Sequence, residues 1–196
     1  MIWMLVCKVA ELPSPGNGPF PEPSKEETGD FYVRLGMTIA AWQFVESSLF
    51  TIYQCAFDPQ RLSGASMEAL SAAFHQPPGF RTRLDMTNAA IQHSSFDPAI
   101  KDEWNKLYTR ALKRSKRRNV LAHAIVCFQP YERLPGKQLF LSGGLTNAAT
   151  RQLALDDANI ITQKQLDEMR VSFQELANAL SQFFGRLLAA MPPGHP

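Results

Sequence analysis

The chain has 196 residues, with 20 basic against 18 acidic side chains, 45% apolar residues and 19% charged residues. That is enough for one compact domain with a sizeable core, and the near-neutral balance excludes a histone-like, wholly basic nucleic-acid binder without excluding a local basic patch. No apolar run approaches the roughly 20 residues of a membrane span, so no membrane partner is expected. Three cysteines, odd in number and far apart, make a reducing cytoplasm the expected location.

Residues 1–27 read as an N-terminal extension and linker. Met1 to Val9 is short and apolar, and it lacks the basic start of a signal peptide. Pro13, Pro15, Pro19, Pro21 and Pro23 follow, with Gly16 and Gly18 between them. Proline removes backbone donors and fixes φ, so this stretch is expected to be a polyproline-like linker rather than core. Residues 192–196 are expected to form a flexible tail, which leaves 28–191 as the folded domain.

Helical periodicity dominates that domain. Leu35, Ile39, Trp42, Val45, Leu49, Ile52 and Tyr53 predict a long first helix from Asp30, its expected cap, to about Phe57. Shorter helices are predicted over 66–75 and 80–92. Asp97-Pro98 opens a fourth, which reaches at least Asn119 with Trp104 and Leu107 on its apolar side. Trp42 and Trp104 read as core anchors. Residues 124–128 and 138–141 are β-prone and flank a Pro135-Gly136 turn signal, so a small β-hairpin insertion is expected. Thr162-Gln-Lys-Gln165 is a capping-box pattern, and a Leu166, Met169, Phe173, Leu176, Leu180, Phe183, Leu187 stripe carries the last helix to about Met191. The expected class is mainly α, a bundle of about five helices, because each apolar stripe needs a partner to bury it.

Chemistry concentrates on the fourth helix. Five of the six residues from Lys113 to Arg118 are basic, and Asn119 and His123 follow. From Lys101 to His123 there are eight basic and two acidic residues, an excess of +6, so the remaining 12 basic and 16 acidic residues carry −4. A basic patch attracts phosphodiesters, arginine holds two phosphate oxygens in its planar fork, and histidine moves protons near neutral pH. Lys113, Arg114, Lys116 and Arg117 are therefore candidate RNA contacts. An arginine of this run could take the charge developing on phosphorus, and His123 beside it could act as acid and base. RNA cleavage by its own 2′-OH needs no more than these groups. Cysteines 7, 55 and 127 form no CxxC pair, and the four histidines are scattered. No metal site and no cofactor are expected.

Asn119 and His123 share a helix face, whereas Arg118 and His123 stand about 140° apart around it. A second copy across a two-fold axis would bring the two functions together, so a homodimer is expected. Glu46 points with the apolar stripe of the first helix and should not stay unpaired there. It is the expected supporting residue, orienting Arg118 or His123.

Arg118-Asn119-Val-Leu-Ala-His123, at the end of a long helix in a helical bundle, resembles the R-x4–6-H motif of the HEPN superfamily, in its RN-x-x-x-H variant. The Trp42-to-Glu46 helix and the final helix also look like the toxin-like and uncharacterised bacterial branches. The resemblance covers about residues 30–190 and implies a HEPN-like bundle with Arg118 and His123 catalytic and Asn119 the accompanying polar residue. Many members are metal-independent endoribonucleases in toxin–antitoxin, abortive-infection or CRISPR-linked defence, and they act as dimers. An antitoxin or other protein partner is thereby implied. Other members are inactive modules that bind a nucleotide, RNA or a protein. The proline-rich N-terminus and the hairpin after His123 depart from the minimal pattern.

Overall fold

A computed structural model describes residues 24–57, 64–129, 138–143 and 160–190. The expected proline-rich linker, the turn at Pro135-Gly136 and the C-terminal tail lie outside the described residues.

Five helices carry the chain: α1 (Lys25–Cys55), α2 (Gly64–His75), α3 (Phe80–His93), α4 (Pro98–His123) and α5 (Gln163–Ala190). Strands β1 (Ala124–Gln129), β2 (Gln138–Gly143) and β3 (Ile160–Ile161) fall between α4 and α5. The helices start where their caps put them. The Asp97 carboxylate accepts from the Ala99 N–H at 2.8 Å, with Pro98 in the first turn. Thr162 and Gln165 close a reciprocal box at the start of α5. α1 begins five residues before Asp30. Ser24 Oγ accepts from the Glu27 N–H at 3.1 Å, and the Glu27 carboxylate accepts from the Ser24 N–H at 2.8 Å. Those two contacts satisfy orphan donors that Asp30 would have met only singly.

The core lies chiefly between α1 and α5. Phe31, Trp42, Val45, Leu49 and Ile52 from α1 bury against Leu166, Phe173, Leu176, Leu180 and Phe183 from α5. Trp42 is the hinge of this packing. Its ring meets Phe80 of α3 at 4.6 Å and Phe173 of α5 at 4.9 Å, both edge-on. Trp104 is fully buried in α4, stacked near Phe183, and its indole N–H donates to the Asn88 side chain at 3.0 Å. The buried α1 stripe runs through Thr38, Ala41 and Trp42, which turns the neighbouring Ile39 outward; its expected place on the buried side is corrected.

β1 and β2 pair antiparallel from Ala124↔Gly143 to Gln129↔Gln138, and β3 adds to the far side of β2. Leu139 and Leu141 of β2 and Ile161 of β3 are buried with the helical core. Ile160–Ile161 forms a strand that the sequence does not predict. Two adjacent β-branched residues suffice to extend a sheet that is already there. No helix among the described residues is long and apolar enough to cross a membrane.

Candidate functional site

The site is built on the side of α1 that meets α3 and α4. Glu46 is one turn beyond Trp42, and the Trp42 indole N–H donates to Glu46 Oε1 at 2.7 Å. Because Trp42 is pinned between two aromatic rings, this contact fixes the carboxylate on the inner edge of α1. Arg83 of α3 donates through Nη2 to Glu46 Oε2 at 3.0 Å. Arg118 of α4 reaches the same carboxylate, with Nη2 3.7 Å from Oε1. The side chains of Arg83, Glu46 and Arg118 are 14%, 23% and 34% exposed, so the cluster opens outward through Arg118. Glu46 therefore does pair with Arg118, not with His123.

Two guanidinium groups face one carboxylate, which leaves a formal excess of one positive charge. Both Glu46 oxygens already accept at hydrogen-bond distance from Trp42 and Arg83. Arg118 is attracted and oriented by the carboxylate, but at 3.7 Å it makes an ion pair rather than a good hydrogen bond. Its Nη1 donates to the exposed Asn119 Oδ1 at 3.5 Å, a long contact. An arginine held by its charge with donors to spare can take an anion bidentately.

Arg83 was not foreseen in the sequence, although a signal existed. It lies three residues after Phe80 and four before Thr87, inside the buried stripe of α3. A lone arginine there needs a buried acid. Its Nε is buried and finds no hydrogen-bond partner among the described residues, while its guanidinium carbon lies 5.9 Å from the Phe74 ring centroid.

The basic run divides in two. Lys113, Lys116 and Arg117 are exposed on α4, with Arg110 one turn earlier. Arg114 is turned to α5 instead: its Nε donates to Ser172 Oγ at 2.7 Å, and Nη2 pairs with Glu175 at 3.3 Å. Burial, with Arg110 adding to it, lowers the Arg114 pKa from its ordinary value. At the other end of α4, Lys101 caps α3 by donating to the Gln92 and Ser94 carbonyls. The solvated charge is thus concentrated over residues 110–118, in the C-terminal half of α4.

Asn119 and His123 are exposed in the last two turns of α4. No described residue hydrogen-bonds the His123 imidazole. Within one protomer the structure brings Glu46, Arg83 and Arg118 together, with Asn119 in contact with Arg118 alone; His123 lies on the Asn119 face, about 140° around α4 from Arg118. The described residues hold no group of three metal-binding side chains. No protein-family model matches this chain, and neither a curated protein nor a solved structure does.

Proposed function

We propose that the chain is a HEPN-like endoribonuclease that acts as a homodimer, without metal, in a toxin or defence setting. Arg118 would hold the scissile phosphate and the charge that develops on it. His123 would move protons to and from the 2′-OH and the leaving oxygen, and Asn119 would orient the substrate by hydrogen bonding. Lys113, Lys116 and Arg117 would take neighbouring phosphates. The single observation that carries this reading is the Glu46–Arg118 pair. A carboxylate fixed by Trp42 and Arg83 steers an outward arginine on the most basic helix, while leaving that arginine free donors.

A second reading has its own support. Among the described residues His123 has no hydrogen-bonding partner, and it stands about 140° around α4 from Arg118, which fits an inactive module that grips RNA, a nucleotide or a protein partner. One assay separates the two. Purified protein is incubated with single-stranded RNA in EDTA beside Arg118→Ala and His123→Ala. Cleavage by the wild type alone supports the enzyme. RNA binding without cleavage, weakening steeply with salt, supports the module. Absence of both RNA binding and cleavage would refute the enzyme and the RNA-binding module, and would leave a module for a nucleotide or a protein partner.

A further inference from the structure

From Phe31 onward the outer face of α1 is free of charge, and nothing among the described residues covers it. Between Phe31 and Phe57 only Arg34 and Glu46 are charged, and both turn inward, to Asp167 and to Arg83. Gly29, Val33, Gly36, Ala40, Gln43 and Ser47 recur at alternating four- and three-residue steps, a straight seam about 27 Å long at 1.5 Å per residue. Tyr32 and Ile39 flank the seam on one side, Met37 and Phe44 on the other. Val33, Met37 and Phe44 are each at least half exposed, at 61%, 51% and 60%.

The two seam glycines have no explanation among the described residues. A Cβ at Gly29 or Gly36 would meet nothing there within 4 Å. Glycine is the poorest helix former after proline, so the two weaken α1 with no packing gain among the described residues. What they supply is room for another backbone to come close along the seam.

We infer that this face binds the same face of a second copy, as an antiparallel α1–α1 pair across a two-fold axis. The inference rests on the homodimer reading above for the identity of the partner, and it deepens that reading by naming the surface. Three observations favour a second copy. A charge-free face can meet itself without repulsion, whereas the exposed 110–118 face of α4 would set like charges against each other. The flanking and seam side chains present about 500 Å² of apolar surface per copy, so two copies bury about 1,000 Å², where specific interfaces begin. The seam also has the 3.5-residue repeat that suits helix-on-helix packing.

The consequence reaches the candidate site. Ile39 and Glu46 are seven residues apart, so Glu46 lies on the edge of α1 that Ile39 marks, and Arg118 lies with it. With the axis anywhere between Ala40 and Ser47, the two Glu46 groups come within about 20 Å of each other along the helices. One short RNA segment could then touch the arginines of both protomers.

The test is the mass of the full chain in solution, by sedimentation equilibrium across micromolar concentrations. Wild type is expected at twice the chain mass. Phe44→Glu, an exposed position that leaves the core intact, is expected to weaken the dimer at least a hundredfold with unchanged helical content. Gly36→Ala is expected to melt at higher temperature when diluted to monomer, yet to dimerise at least tenfold more weakly, a combination that no effect within the protomer produces. A wild-type monomer overturns the inference, whether another protein or the chain's own Met1–Val9 segment takes the face. A dimer that survives both substitutions also overturns it, and leaves the homodimeric ribonuclease standing. Loss of the dimer in Phe44→Glu, from a wild type that leaves RNA intact, upholds this interface and refutes the ribonuclease.

Discussion

Replacing Glu46 with alanine should destabilise the fold far more than an exposed carboxylate would. The side chain accepts from the Trp42 indole at 2.7 Å and from Arg83 at 3.0 Å, and it neutralises Arg83 in a position only 14% exposed. Removing the acid leaves an indole donor without an acceptor and a guanidinium, its Nε already unpaired, without a counter-charge. Breaking a fully buried ion pair costs about 3–5 kcal/mol. Partial exposure and the Phe74 ring beside Arg83 reduce that here to about 2–3 kcal/mol. For a chain of this length the melting temperature should fall by about 5–10 °C. Glu46→Gln keeps an acceptor for Trp42 and should lose only about 1 kcal/mol. Adding Arg83→Met to Glu46→Ala removes the stranded charge and should recover much of the loss. Urea or thermal unfolding followed by circular dichroism measures all three. A Glu46→Ala penalty under about 0.5 kcal/mol would refute the reasoning, as would a double variant no more stable than the single one.

Further outcomes follow from the same contacts. Phe173→Ala removes a fully buried ring that wedges Trp42, so it should cost about 3–5 kcal/mol in unfolding experiments. Burial pushes the Asp85 carboxyl up, but the Tyr108 hydroxyl and Arg81 outweigh it, and the net shift is downward. A carboxylate held low in the folded state stabilises it above the ordinary carboxylate range, and this contribution is lost as pH falls below about 4. Asp85→Asn should therefore lower stability in the neutral region, where the carboxylate contributes, change it little below about pH 4, and so flatten the acid limb of the profile, which unfolding midpoints against pH will show. If RNA lies along α4, five contacts from Arg110, Lys113, Lys116, Arg117 and Arg118 give a log–log salt slope of about −3.5 per protomer for single strands. Lys116→Ala should reduce that slope by about 0.7, whereas Arg114→Ala, at a residue engaged by α5, should change stability more than the slope.

The helices were legible because their signals are local. Asp97-Pro98 and Thr162-x-x-Gln165 are caps that can be read in four residues, and the α5 stripe from Leu166 to Leu187 is buried as its spacing demands. Glu46 was legible for a different reason: a carboxylate beside an apolar stripe must find a cation, and that cation is in part Arg118. Its principal partner, Arg83, was missed. An isolated arginine in a stripe announces a buried partner without saying where in the chain that partner lies. The start of α1 was misplaced because Asp30 is a good cap by residue type, while Ser24 and Glu27 satisfy two donors instead of one. Arg114 was grouped with its basic neighbours because a charge run carries no record of which member faces Ser172 and Glu175, nearly sixty residues away.

The ribonuclease proposed above requires Arg118 to hold the phosphate and His123 to move the proton, and their separation around α4 assigns each to a different protomer. Subunit mixing tests it most directly. Arg118→Ala and His123→Ala chains are each assayed alone on single-stranded RNA in EDTA, and then after being unfolded together and refolded as a mixture. Each alone should be inactive. The mixture should recover about a quarter of wild-type cleavage, because half of the dimers are mixed and each of those holds one intact site. A mixture as inactive as its parents, or parents as active as the wild type, would contradict the account.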